Sequence, residues 1–337
     1  MIAPDALLRD RATTRELGEF VVAAAFAGPA AAFALGDGTL RIAAPEGEWA
    51  TVAAHDGAIL AMAADRSAWV TGGDDGTFRR IDPAGAVTEV AGFGSKWVEQ
   101  VAAFSDGKTH LLACASGKNV HLFKDGERLK TLEHPSTVTG IAFDAKGKRV
   151  GASHYNGCSL WFVGAKADTP RVLEWKGSHT GIALHPGGEA VVTAMQENAL
   201  HGWRLPDGQH MRMSGYPSKT ESLSFSRTGR WLASSGADTV VLWPFFGGGP
   251  MGKAPLELAG GDGVLCTRVA FQPQQDLVAA GFADGLVVIA DVGSERILPV
   301  APPGHGPVTA LAWSPDGARL AFGTETGFAA LFDLSKR

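Results

Sequence analysis

An all-β ring of radially arranged sheets, a propeller of eight four-stranded blades, is the fold this sequence predicts. Three observations carry the prediction. The chain repeats itself about every 41 residues. Each repeat holds four short strand-like runs. The composition, with 44 Gly and 18 Pro against 19% charged residues, suits a chain that turns often around a large apolar interior. The first strand of each repeat ends in an aromatic or large aliphatic residue, at Phe26, Met62, Phe104, Phe143, Leu184, Phe225, Phe271 and Trp313. The turn between the second and third strands keeps the same step. It falls at Asp37-Gly38, Asp75-Gly76, Ser116-Gly117, Asn156-Gly157, Glu197-Asn198, Ala237-Asp238, Asp284-Gly285 and Thr326-Gly327. Two independent markers with one period place the strands in blades around an axis.

Closure of the ring follows from a strand count. The last repeat supplies three strands, at 308–313, 318–323 and 328–333, so its fourth must come from elsewhere. The segment from Thr13 to Glu19 has the length and polar alternation of an outer strand, and pairing it with 328–333 removes an edge that would invite aggregation. Residues 1–12 are then an N-terminal tail and 13–337 one propeller. Seven blades is the alternative, because the Ala-rich first repeat, 21–44, is weakly patterned.

Two fragments carry a family resemblance: WVTGGDDGTFRRID at 69–82 and HGPVTALAWSPDGARLAFGTETGFAALFD at 305–333. They resemble the strand–turn–strand segments of WD40 repeats, and the resemblance extends over roughly residues 13–334. Gly304-His305 matches the family's Gly-His, Phe332-Asp333 stands for its Trp-Asp, and Asp82 is its terminal Asp with Ile81 in the Trp position. The resemblance implies structural roles for His55, His134, His179 and His305 ahead of the first strands, with Trp97 in that slot of the third repeat. It implies similar roles for the turn residue Asp75, for Asp333, and for Trp203 and Trp243 at the end of third strands, Trp161 lying one place early. No repeat spells the whole buried His–Ser/Thr–Asp–Trp hydrogen-bond set. The nearest approach is His179, Thr193, Glu197 and Trp203. Rings of this family most often have seven blades, which supports the alternative count.

The resemblance also implies a function: a non-enzymatic scaffold that binds a protein or peptide partner over the loops before the first strand and between the second and third. Those loops hold Asp74, Lys96, Trp97, His154, Tyr155, Lys176 and Lys219. Aromatic anchors dominate interface energetics, so Lys96-Trp97 with Tyr155 and Lys219 is the best partner-binding set. A Trp in the His slot has a second use, as a plug between blades, and that use is favoured because large aromatics are buried on average. On the opposite face the longest insertion, 244–251, carries Phe245 and Phe246. They are either an exposed apolar patch or a pair folded back on the outer strand.

Other chemistries find little support. Net charge is −5, and the two basic stretches, Lys146 to Arg149 and Lys124 to Lys130, are broken by turns or acids, which argues against nucleic acid. The GxxxxGK spacing from Gly247 to Lys253 continues into Ala254-Pro255, without the hydroxyl or the helix a phosphate loop needs. His154, Cys158 and His201 are the candidate metal ligands, but no CxxC, HxxxH or HExxH spacing supports them. No GxSxG or haem-binding CxxCH pattern occurs, so an orphan propeller enzyme is a weaker alternative than a metal-binding accessory protein, and no cofactor is expected. No apolar run is long enough to cross a membrane and the N-terminus lacks a leader pattern. Three cysteines do not make a disulfide framework, and Cys114 and Cys266 fall within strand patterns. The expected protein is cytoplasmic and a monomer by itself. Its Ala/Gly/Arg-rich, Tyr-poor composition points to a GC-rich bacterial source.

Overall fold

The computed structural model describes residues 4–44 and 48–336. Thirty antiparallel strands and one helix, α1 (Pro4–Arg11), make up its regular structure. The strands form seven hydrogen-bonded sheets, six of four strands and one of six. The count of eight blades is therefore corrected: counted by sheet, the ring has seven. The correction does not come from the Ala-rich first repeat, whose strands Val21–Ala27, Ala30–Leu35, Thr39–Ala43 and Ala50–Ala53 form a regular sheet. It comes from the fourth and fifth repeats, which share the six-stranded sheet between Gly140 and Met213.

Two unusually long runs cause the sharing. Arg149–Phe162 is continuous through a turn so tight, with Asn156 and Gly157 at φ +66° and +139°, that no loop interrupts it. It folds back on itself, since the Val163 N–H donates to the Lys148 carbonyl at 3.0 Å. Arg171–Leu184 pairs first with this hairpin, through Cys158 opposite Leu173 and Tyr155 opposite Ser178. It then passes without a break to pair with Ala190–Met195, through His179 opposite Met195. Elsewhere a loop separates an outer strand from the next inner one. Here the backbone stays extended.

The turn marker in each repeat has its expected geometry. A left-handed residue occurs at Gly38, Gly76, Gly117, Asn156, Asn198, Gly285 and Gly327; in the sixth repeat it is Gly236, one position before the expected Ala237-Asp238. The first-strand aromatics follow the blade faces: Phe26 and Phe271 are buried, while Phe104 and Phe143 are half-buried against each other at 6.4 Å.

The ring closes as the strand count requires. Ala12–Glu16 pairs antiparallel with Phe328–Asp333, from Ala12 opposite Phe332 to Glu16 opposite Phe328. The Leu17 N–H extends the ladder to the Gly327 carbonyl at 2.8 Å. Further contacts draw the first repeat against the last. The Thr309 hydroxyl donates to the Val21 carbonyl at 2.6 Å, and an Arg319 guanidinium N–H donates to the Pro29 carbonyl at 2.7 Å. A Cβ on Gly323 would overlap the Val21 side chain, so only glycine lets the two repeats approach this closely. The helix α1 adds an anchor that strand patterning does not reveal. It buries Leu7 and Leu8 in a cluster with Ile289, Val300, Leu320 and Phe332, and so ties the closing strand to the neighbouring sheet.

Candidate functional site

Hydrogen bonds at the ends of the inner strands decide how firmly the loops are held. The most complete family-type set is at His55, not at His179. His55 Nε2 lies 2.8 Å from the Thr71 hydroxyl, and its Nδ1 lies 3.0 Å from an Asp75 carboxylate oxygen. Burial alone would raise the Asp75 pKa. Hydrogen bonds from His55, from the Thr77 hydroxyl and N–H, and from the Asp56 N–H outweigh it and hold the carboxyl down to about 2. At His179 the pattern is shorter: Nδ1 meets the Thr193 hydroxyl at 2.7 Å and Nε2 the Trp175 carbonyl at 2.9 Å. Trp203 is buried beside it with its indole N–H on the Glu174 carbonyl.

Three other repeats use different partners. The Trp161 indole N–H donates to His134 Nε2 at 3.0 Å although Trp161 is one place early. The Trp243 indole N–H donates to the Tyr216 hydroxyl at 2.6 Å, and that hydroxyl also contacts Ser234 at 2.6 Å. Tyr216 therefore takes the histidine's place in the sixth repeat. Its position ahead of an inner strand and the Ser-to-Trp spacing are a signal that a search for histidine alone passes over. His305 instead stacks on Phe328 at 3.8 Å. The aspartates that end the family pattern cap turns: Asp82 accepts the N–H groups of Ala84 and Ala86, and Asp333 accepts that of Ser335.

The predicted partner-binding residues divide by face. Trp97 is 55% exposed and Tyr155 56% exposed, so both are available to a partner. Trp97 does not plug the gap between blades; its neighbour Val98 is the buried residue there. Tyr155 lines a shallow depression of about 560 Å³ with Glu174, Trp175 and Lys176. Trp175, absent from the sequence-based set, stacks on His201 at 3.9 Å and is held by that contact. Lys219 pairs with Glu221 at 3.4 Å at the edge of a polar cavity of about 410 Å³. Gln100, Thr139, Thr180 and Thr220, from the inner-strand ends of several repeats, line that cavity. Burial, then the nearby Arg128 and Lys96, disfavour protonation of His121.

On the other face the two phenylalanines separate. Phe245 is buried, with its ring edge-on to Phe225 at 5.0 Å and tilted beside His185. Phe246 is partly exposed over Trp231 and is flanked by Arg230 and Lys253. The Lys253 ammonium donates to the carbonyls of Phe246, Gly247 and Gly249, so in the GxxxxGK segment the lysine closes the loop on its own backbone. That segment lies between Thr239–Pro244 and Leu256–Gly260, the third and fourth strands of its sheet.

The candidate metal ligands are engaged with other groups. His154 meets the Tyr155 carbonyl and the Ser159 hydroxyl, both at 2.9 Å. Cys158 is fully buried, and burial pushes its thiol well above the usual range. His201 Nε2 meets His210 Nδ1 at 2.9 Å. Among the described residues no three His, Cys, Asp or Glu side chains are arranged to hold a metal ion. Burial chiefly depresses several histidine pKa values, His121 and His134 to about 4 and His201 to about 3, with Arg128 adding to it at His121. No described helix is long and apolar enough to cross a membrane.

Comparison with known proteins agrees with this geometry. The WD domain, G-beta repeat, matches residues 209–243, the segment containing Tyr216, Ser234 and Trp243; the anaphase-promoting complex subunit 4 WD40 domain matches residues 269–337. Autophagy-related protein 16 of Arabidopsis thaliana is 25% identical over 272 residues, which cover 77% of this chain and 52% of that protein. WD repeat-containing protein slp1 of Schizosaccharomyces pombe is 25% identical over 178 residues, 50% of this chain and 36% of that protein. The chain thus spans about half the length of the first relative and less of the second. The crystal structure of the computationally designed Ika8 protein superposes with a TM-score of 0.75 at 21% identity, covering 94% of this chain and 96% of that one, a likeness of fold. Residues 209–243 and 269–337 are thus similar to WD40 repeats, and the described residues fold as a β-propeller.

Proposed function

We propose that the protein is a non-enzymatic interaction scaffold that binds a protein or peptide segment on the face carrying Tyr155, Trp175 and Trp97. The observation that carries this reading is the pairing of an exposed Tyr155 with a stacked Trp175 in one depression. A preorganised aromatic pair loses little entropy on binding, and rings of this kind anchor interfaces. Lys96, Lys176 and Lys219 add positive charge on the same side, which favours a partner with acidic groups. The Ala/Gly/Arg-rich composition supports a bacterial source, and the reading takes the protein as cytoplasmic and monomeric by itself.

The test is affinity capture from the native host with wild-type protein and a Tyr155→Ala/Trp175→Ala variant, each checked for folding by thermal melting. A specific partner held by the wild type and lost by the folded variant supports the face. A partner retained by that variant and lost by Trp97→Ala moves the contact to the third repeat. Equal capture by both variants and the wild type overturns the reading.

A further inference from the structure

We infer that the groove between the third and fourth repeats, on the face opposite Tyr155, is a second docking site for an acidic peptide segment that carries apolar side chains. Its observations are independent of the aromatic face, although the inference rests on the reading of the chain as an interaction scaffold. In an antiparallel sheet the turns joining first to second and third to fourth strands lie at the opposite end from the turn joining second to third. The groove is built from turns of the former kind. Asp106 and Thr109 come from one, Lys146 to Lys148 from another, and Val163 to Lys166 from the loop that follows Arg149–Phe162.

The fold joins what the sequence keeps apart. Lys124 and Lys130 belong to one interrupted basic stretch and Lys146 and Lys148 to another, yet these four line a single cavity of about 800 Å³, together with Lys166. Among its lining residues the one carboxylate is Asp106, whose oxygen already accepts the N–H groups of Lys108 and Thr109. Lys130 pairs with Asp168 at 2.6 Å and donates to the Ala165 carbonyl. Among the described residues the other four lysines form no ion pair. In a chain of net charge −5, this is a local excess of positive charge that repels itself and attracts an anion.

The walls give the anion its chemistry. Leu111 and Val163 are buried beneath the lysines, while Leu129 is exposed and Phe162 is 55% exposed at the rim. The Arg149 guanidinium lies 5.1 Å from the centre of the Phe162 ring and braces it. A phosphate backbone is bound by repeated cationic contacts and has no use for an aliphatic floor. A peptide that alternates carboxylates with Leu or Phe uses both parts: lysines for its acids, and the Leu129–Phe162 strip for its apolar side chains.

The experiment is fluorescence anisotropy of the full chain with three labelled probes: a glutamate-rich peptide with a central Leu-Phe pair, the same peptide with that pair replaced by Glu, and oligothymidylate. The Leu-Phe peptide is expected to bind saturably and more weakly as salt rises, about tenfold tighter than either other probe. Lys146→Glu/Lys148→Glu is expected to weaken it about thirtyfold and Phe162→Ala about fivefold. All these side chains are exposed, so the variants should melt with the wild type; the milder Lys124→Ala/Lys166→Ala provides a second readout if the charge reversal does not fold. Equal affinity for oligothymidylate with no effect of Phe162→Ala overturns the proposal in favour of a general polyanion surface. Absence of saturable peptide binding, or binding that survives charge reversal, also overturns it. Loss in Tyr155→Ala/Trp175→Ala instead would put the peptide on the aromatic face, overturning this site while leaving the scaffold function standing.

Discussion

The ring is sealed differently in two regions. Where Ala12–Glu16 meets Phe328–Asp333, strands far apart in sequence are joined by a ladder, a Thr309–Val21 hydrogen bond and the two leucines of α1. Between Gly140 and Met213 no such joining is needed, because Arg171–Leu184 runs from one repeat into the next as continuous backbone. The first seal depends on a ladder, a hydrogen bond and apolar anchors drawn from segments far apart in sequence. The second depends on two backbone conformations and on buried histidines kept neutral. Chain connectivity thus replaces side-chain stitching, and the two seals fail under different stresses.

Removing residues 4–16 should expose this difference most. The ladder and the burial of Leu7 and Leu8 both go, a loss of roughly 5 kcal/mol from several net hydrogen bonds and two buried leucines. Urea melts should show it, and exchange should rise first in Phe328–Asp333. An unchanged midpoint would mean that the other repeats hold the ring shut unaided.

Gly157→Ala attacks the second seal. At φ +139° an L residue is strained, and its Cβ would overlap the Leu173 carbonyl. A loss of about 2–4 kcal/mol is expected, with hydrogen-exchange protection falling across 140–213 before it falls at the closing strand. Uniform loss around the ring would deny that the shared sheet opens as a unit.

Acid should also separate the regions. The folded pKa values of His134 and His201 lie below the ordinary histidine value, and those of His55 and His179 are lowered too, in each case chiefly by burial. The stability these neutral rings provide is complete above about pH 6.5 and is lost as pH falls through their folded values, about 4 for His134 and about 3 for His201. Amide protection, corrected for the intrinsic exchange rate, should therefore fall between pH 6.5 and 4 more in the shared sheet than at the clasp, because that sheet holds His179 and His201 and its Trp161 bonds His134. The effect should be on the order of 1–2 kcal/mol per histidine. His134→Gln should flatten part of this dependence. Asp75 acts lower, its contribution disappearing as pH falls from the ordinary carboxylate range through about 2.

The smallest effect belongs to one hydroxyl. Thr309→Val removes the donor to the Val21 carbonyl and should cost about 1 kcal/mol. The shift should appear in chemical denaturation and be absorbed when residues 4–16 are already deleted, since both act on one seam.

Much of this was legible in the chain because period and turn chemistry repeat. The left-handed turn positions and the clasp follow from strand counting. The number of sheets does not. Whether an outer strand continues into the next inner one depends on the path between Trp175 and His179, and no residue type there announces an unbroken extended run. Tyr216 and Trp175 were missed for a related reason. Each works through what it touches, a serine and tryptophan in one case and a histidine ring in the other, and such partners lie outside any local pattern. The lysine groove shows the reverse: two stretches that look interrupted in sequence are continuous in space.

The clasp also orders events during synthesis. Within the ring, Ala12–Glu16 is synthesised before every other strand and its partner, Phe328–Asp333, after them. A contact across so much chain is slow to form, and until it does both strands present bare edges to other nascent chains. During that interval Leu7 and Leu8 lack the residues that bury them in the finished ring and are open to a chaperone.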